Sequence, residues 1–171
     1  YVGGILAEIP NNSACNVLIE SCFNTGTLTA TNQTEDQHIG GIVGMGFDRI
    51  LNCYHAGTLE AGSTSGRSYR GGILGYVAKG TGAATLAHNY SVQSASLSVG
   101  GHAEDAVLAD DTTLMLASFM KEESFVDTLN RYEKPVSLYQ VTFAMDSKAE
   151  NDGYPAIGEL EKIKNYNAAI T

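Results

Sequence analysis

The sequence predicts a mainly β chain, built as a parallel β-helix or β-solenoid of about three repeats and closed by a small α+β cap at its C-terminal end. Three observations predict it. A Gly-Gly pair recurs at Gly3-Gly4, Gly40-Gly41 and Gly71-Gly72, with separations of 37 and 31 residues. Each pair opens a similar apolar segment (GGILAEI, GGIVGMG, GGILGYV), and a second apolar segment ending in an aromatic follows (LIESCF, ILNCY, LAHNY). Glycine is abundant, at 19 of 171 residues, and Ser, Thr and Asn fill many of the remaining positions, which is a turn-rich β composition.

A period near thirty with insertions of variable length is the signature of a stacked array. No single unit has enough apolar area to bury itself. Stacking equivalent strands ~4.8 Å apart buries one face of each against a shared interior. The best-defined unit runs from His38 to Leu59, HIGGIVGMGFDRILNCYHAGTL, with near-copies on both sides of it. In this arrangement Ile5, Ile42 and Ile73 form one inward ladder, Leu28, Leu59 and Leu97 form another, and Cys22 lies over Cys53. Gly100-Gly101, a further 29 residues along, reads as a degenerate fourth pair. The glycines belong at corners, where the backbone takes φ > 0 or approaches its neighbour closely. Polar stretches at Asn11-Asn12-Ser13, Ala30 to Gln37 and Ala61 to Ser68 are surface loops.

The pattern changes after Gly101, so the chain divides into a repeat region, 1–101, and a capping region, 102–171. Asp110-Asp111-Thr112-Thr113 has the residue types that cap helix starts, and Leu114 to Met120 would be the apolar turns of that helix. A second helix spans Glu122 to Asn130, with Phe125, Val126 and Leu129 on one face and acids in its first turn. Gln140 to Met145 alternates as a strand, and Asn151-Asp152-Gly153-Tyr154-Pro155 is a turn. A cap is physically required, because an uncovered last coil exposes unpaired backbone groups. Phe125 and Leu129 are expected to seat it.

Charge excludes several partners. Ten Lys and Arg against nineteen Asp and Glu give −9, and the excess is concentrated late, at −2 for residues 1–98 and −7 for 99–171. Nucleic acid and anionic membrane both demand a basic face. No apolar run approaches the ~20 residues of a membrane span, so membrane insertion by this stretch is not expected. Beginning at Tyr1 within a repeat, the chain reads as a piece of a longer protein.

Here the residues resemble a known family. GGILG or GGIVG, followed by NCY and an AGTL-like turn, resembles the GLUG motif of bacterial secreted and surface proteins, over roughly residues 1–98. The segment FVDTLN with its Asn-Asp-Gly-Tyr-Pro turn is similar to the region that commonly closes GLUG arrays. The resemblance implies a β-solenoid in an exported, adhesin-like protein, located outside the cell or on its surface. It also includes non-catalytic regions of immunoglobulin A metalloproteases. The His-Glu-x-x-His helix that binds zinc in their catalytic part is missing from this chain.

Residues with the chemistry for catalysis or metal binding are scattered. His38, His55, His88 and His102 fall in separate units and are expected at strand ends or in loops. Cys15, Cys22 and Cys53 make an odd number without CxxC spacing, so no metal or cofactor is expected. Stacked positions bring Cys22 and Cys53 within disulfide range, yet parallel Cβ vectors suit a ~90° dihedral poorly, and free thiols acting as small hydrophobes are expected. Paired carboxylates can work on a glycosidic bond or bind Ca²⁺. The acidic clusters are Glu104-Asp105, Asp110-Asp111, and Asp146 with Glu150 and Asp152. Asp110-Asp111 is accounted for by a helix cap and Asp152 by a turn, while Asp146 to Asp152 is polar enough for a weak metal site. Tyr54, Tyr69, Tyr76 and Tyr90 offer stacking surfaces for a sugar or peptide, half or more of them being core or corner residues instead.

No catalytic constellation emerges. The expected function is a non-enzymatic repeat module, an adhesive or structural stalk whose partners are further domains of a longer surface protein and a host protein or glycan. The alternative is a carbohydrate-active β-helix enzyme, a polysaccharide lyase or hydrolase, or an accessory region of an immunoglobulin A protease-like protein. An enzyme of that kind would repeat Asp, Lys or Arg at matching outward positions, whereas these repeats carry Gly, Thr, Ser and Asn there, and Asp48-Arg49 occurs once.

Overall fold

Equivalent segments of the repeats pair with one another, and every such pairing is parallel. The computed structural model describes residues 1–10, 16–31, 35–62, 65–79, 83–95, 97–132 and 139–162. Cys15 and the loop Asn11-Asn12-Ser13 lie outside the described residues. The first repeat supplies β1 (Val2–Gly3), β2 (Leu6–Glu8), β3 (Leu18–Glu20), β4 (Phe23–Asn24) and β5 (Leu28–Ala30). The second supplies β6 (Gln37–Gly40), β7 (Val43–Gly46), β8 (Arg49–Leu51), β9 (Tyr54–His55) and β10 (Leu59–Ala61). The third supplies β11 (Ser68–Gly71), β12 (Leu74–Val77) and the long β13 (Ala84–Val92), and β14 (Leu108–Met115) follows. The sheets run β1-β6-β11, β2-β7-β12 and β5-β10; β3-β8 and β4-β9 each lead to β13, which pairs β14 on its other side.

The register is the one the sequence repeats demand. Gly40 pairs with both Gly3 and Gly71, Leu59 pairs with Leu28, and Tyr54 pairs with both Phe23 and Tyr90. One line of backbone bonds links the predicted isoleucine ladder: Ile5 N–H donates to Ile42 C=O at 3.0 Å, and Ile42 N–H donates to Ile73 C=O at 3.1 Å. Ile42 and Ile73 are fully buried in an apolar cluster with Ile19, Val43, Phe47, Ile50, Leu74, Val77 and Leu86. Each such side chain contributes about 1.5–3 kcal/mol by leaving water.

Three expectations about these ladders are corrected. Ile5 is 46% exposed. Among the described residues β1 and β2 are paired on one side only, so no further strand covers it. Leu97 is also exposed and does not continue the Leu28–Leu59 ladder; its carbonyl accepts the Gly72 N–H at 2.7 Å instead. Gly100-Gly101 is not a fourth Gly-Gly pair. Bridges from Leu74 to Val99 and from Val77 to His102 set Gly100 beside Gly75 rather than Gly71.

Close approach, not backbone handedness, explains the Gly-Gly pairs, since among the described glycines only Gly153 has φ in the left-handed region. A Cβ on Gly3, Gly40 or Gly71 would strike the carbonyl oxygen of Leu6, Val43 or Leu74 respectively, three residues on. A Cβ on Gly4, Gly41 or Gly72 would strike the side chain of Asn24, His55 or Ser91. Among the left-handed bends at non-glycine residues are Ser21, Asn52 and His88, with φ of 51°, 51° and 54°. These three occupy equivalent positions of successive repeats. Small polar residues tolerate that conformation best, and Asn52 Nδ2 donates to Ser21 Oγ at 3.2 Å.

The helix expected to start at Asp110-Asp111 does not form. Residues 108–115 are β14, in parallel register with β13 from Ala84↔Leu108 to Val92↔Met115, with an irregularity at His88. Asp and Thr suit a helix cap locally, yet β-branched Thr112 and Thr113 also suit a strand, and a long ladder of interstrand bonds decides between them.

By compactness the chain divides between Ala117 and Ser118. In the second unit α1 (Glu123–Asn130) forms where expected and buries Phe125, Val126 and Leu129. The expected strand is β15 (Tyr139–Ala144), paired antiparallel with β16 (Ala156–Lys162). Asn130 ties α1 to β15, its Nδ2 donating to Phe143 C=O at 2.9 Å and its Oδ1 accepting Phe143 N–H at 2.8 Å. The predicted turn closes with Tyr154 N–H donating to Asn151 C=O at 3.0 Å.

Candidate functional site

The parallel register that builds the sheets also gathers aromatic rings on one surface. Tyr69 of β11 pairs with His38 of β6, and the Val2↔Ile39 pairing sets Tyr1 alongside His38. The His38 ring stacks on Tyr1 (5.3 Å between centroids, 27°) and on Tyr76 of β12 (4.4 Å, 10°). Tyr69 meets both His38 and Tyr76 edge-on, at 5.1 and 4.9 Å. Such pairs contribute about 0.5–1.5 kcal/mol each beyond their area, so the cluster holds its own shape. Arg67 Nη1 donates to the Tyr69 hydroxyl at 3.3 Å. Desolvation holds the His38 imidazole below its ordinary pKa, and its Nδ1 is buried without a hydrogen-bond partner. A neutral, half-buried cluster of this kind has ring surface for C–H groups of a sugar or for peptide side chains.

Of the four tyrosines singled out from the sequence, Tyr69 and Tyr76 lie in this cluster. Tyr54 is a core residue, fully buried and stacked on Phe23 at 5.3 Å, and Tyr90 lies in register beside it. His38 belongs to the cluster although the sequence pointed only to tyrosines. The signal was available, since His38 sits as far before Gly40 as Tyr69 does before Gly71.

Other titratable groups serve the interior. His55 is buried in β9; its Nδ1 lies 3.1 Å from Asn24 C=O and 3.3 Å from Asn24 Nδ2, which also donates to Gly41 C=O. Desolvation pushes its pKa down to about 4, against a smaller opposing effect of the Asn24 carbonyl. Cys22 and Cys53 are free thiols in equivalent positions. Each donates to the carbonyl two residues before it, Glu20 or Leu51, at 3.3 Å, and Cys53 Sγ accepts the Cys22 N–H at 3.4 Å. Desolvation raises the Cys53 pKa, which keeps the thiol protonated and unreactive.

One carboxylate or more in each acidic cluster has a structural partner. Asp110 Oδ1 accepts Thr112 N–H at 3.1 Å, and Oδ2 accepts the Ser98 hydroxyl. Asp105 faces Lys79 at 3.9 Å, an exposed pair, and Asp152 bonds Lys121 at 3.0 Å while Lys121 lies over the Tyr154 ring. Both oxygens of Asp146 accept backbone N–H groups, from Glu150, Asn151 and Gly153. Desolvation pushes the Asp146 carboxyl up, but these bonds together outweigh it and hold the pKa below the ordinary value. Among the described residues no three His, Cys, Asp or Glu side chains come together as a metal would need. No family model matches this chain, and neither a curated protein nor a solved structure matches it.

Proposed function

We propose that the chain is a non-enzymatic repeat module of an exported bacterial surface protein, a β-solenoid of the GLUG kind acting as an adhesive stalk. The observation that supports this reading most is the parallel, in-register pairing of three successive repeats, Gly3 with Gly40 with Gly71. Such an array extends by adding units, and its outward positions are free to vary. The half-buried cluster of Tyr1, His38, Tyr69 and Tyr76 is the contact surface. A hydrolase would need a carboxylate pair with one member displaced in pKa. Of the acids that the sequence singled out, Asp105, Asp110, Asp146 and Asp152 are engaged in ion pairs or in bonds to nearby backbone and hydroxyl groups.

A binding screen of the 171-residue chain against host glycans and extracellular proteins tests the proposal, with reducing-end release from polysaccharides measured in parallel. Retention on a glycan or host protein, lost in Tyr69→Ala, is the expected result. Release of reducing ends that disappears in Asp110→Asn or Asp111→Asn would overturn it in favour of the carbohydrate-active enzyme.

A further inference from the structure

An open pocket of about 320 Å³ lies where the turn before β10, strand β11 and the segment after β13 meet. This volume is at the lower end of the range that small-molecule sites occupy, roughly 300–1,000 Å³. It is separate in composition from the aromatic cluster. Arg70, Ser68, Ser94 and Thr58 are the polar side chains among its described lining residues, and Leu59 and Leu97 are the larger apolar ones.

Arg70 stands out in it. The residue is exposed on β11 and its guanidinium makes no ion pair or hydrogen bond among the described residues. The chain carries −9, yet among the described residues no carboxylate lines this pocket. Glu60, the acid next to Leu59 in sequence, is engaged by Thr29 Oγ1 at 3.0 Å. Among the described lining residues, an anion entering the pocket therefore meets one planar fork of N–H donors and no like charge. Carboxylate matches that fork bidentately. A phosphate dianion usually calls for a second cation, and among the described residues Arg70 has no basic neighbour in the lining.

We infer that this pocket binds an acidic sugar, with the sugar carboxylate on Arg70. The hydroxyls of Thr58, Ser68 and Ser94 each donate and accept, as a sugar's own hydroxyls require. Leu59 and the exposed Leu97 give its C–H face an apolar surface. The site stands on the pocket alone and needs neither the aromatic cluster nor the stalk reading.

Titration calorimetry on the whole chain tests it, with glucuronate, galacturonate and N-acetylneuraminate as probes and glucose, acetate and inorganic phosphate as controls. Saturable binding of at least one acidic sugar is expected, weakened about tenfold or more by Arg70→Gln, which removes a charge-assisted bidentate pair. Leu97→Asp, which sets a carboxylate in the pocket wall, should weaken it similarly, while Arg49→Gln on β8 should leave it unchanged. Circular dichroism of each variant confirms folding. Absence of saturable binding by all three acids would overturn the inference, as would binding unaffected by Arg70→Gln or equal binding of glucose. Equal binding of acetate or phosphate would reduce the pocket to a simple anion site and overturn the sugar assignment, leaving the stalk reading untouched.

Discussion

Asn89 Oδ1 accepts the backbone N–H of Cys53 at 2.9 Å, and Asn89 stands to Cys53 as Cys53 stands to Cys22, one repeat further along. In both cases a side chain of the later repeat accepts the N–H of the equivalent residue in the earlier one, with sulfur in one and an amide oxygen in the other. Asn89 Nδ2 also donates to Ile50 C=O at 2.7 Å. Asn89→Leu leaves a buried donor and a buried acceptor unpaired, each costing about 1–3 kcal/mol, so a total loss of about 2–6 kcal/mol is expected in urea unfolding. Asn89→Cys should cost clearly less, because the Cys53 sulfur already accepts the corresponding N–H in the preceding repeat. Equal losses in the two variants would show that volume, not hydrogen bonding, governs the position.

The glycine pairs separate two kinds of close contact. At Gly72 the intruding Cβ meets mainly the Ser91 side chain, whereas at Gly41 it meets the Gly72 carbonyl as well as His55. Gly72→Ala should therefore cost about 1–3 kcal/mol, and Ser91→Gly should largely relieve it in the double variant. Gly41→Ala should not be rescued by His55→Ala, since the carbonyl remains. A double-mutant cycle by thermal unfolding reads both; rescue at Gly41 would mean that backbone approach there is slack.

Much of this packing was legible in the sequence, and some was hidden for identifiable reasons. The Gly-Gly spacing determined which residues pair, because a repeat read along the chain becomes a register when parallel strands stack. It did not show that Asn24, His55 and Ser91, each directly after an aromatic, are what the second glycines accommodate; those three share no chemistry, only a position. Nor did it show the left-handed bend shared by Ser21, Asn52 and His88, where no glycine marks the turn. Asp110-Asp111 misled because short-range capping preference is weaker than pairing along the whole of β13. In the aromatic cluster the tyrosines were visible from composition, while His38 entered only through the register.

His55 makes stability depend on pH. Its folded pKa of about 4 lies below the unfolded value of 6.5, so the unfolded chain takes up the proton first as pH falls. The contribution of neutral His55 is complete above pH 6.5 and is lost as pH drops toward about 4. The slope is about 1.4 kcal/mol per pH unit, about 3 kcal/mol in all. His55→Asn, which copies Asn24 of the first repeat, should flatten the stability profile between pH 6.5 and 5, above the range where most carboxylates titrate. An unchanged slope in that variant would mean that another group supplies the dependence.

The second unit rests on a small core, and Phe125 is its most informative residue. It is 1% exposed on the apolar face of α1, the face that also buries Val126 and Leu129. With one eight-residue α-helix, a short 3-10 helix at Phe119–Lys121 that buries Met120, and two paired strands described in that unit, few other side chains can take over its packing. Phe125→Ala should cost about 3–5 kcal/mol, the usual range for emptying a buried aromatic site that cannot collapse. Asn130 is the polar tie between α1 and β15, so a loosened helix should also release the Phe143 amide that Asn130 Oδ1 accepts. Hydrogen exchange is the direct readout, with faster exchange expected at Phe143 and through residues 125–130. Retained protection at Phe143 in Phe125→Ala, with an unchanged melting temperature, would show that α1 is held to β15 by Asn130 rather than by the aromatic ring. In that case Asn130→Ala, which leaves both the Phe143 N–H and its carbonyl without their side-chain partner, should produce the loss instead.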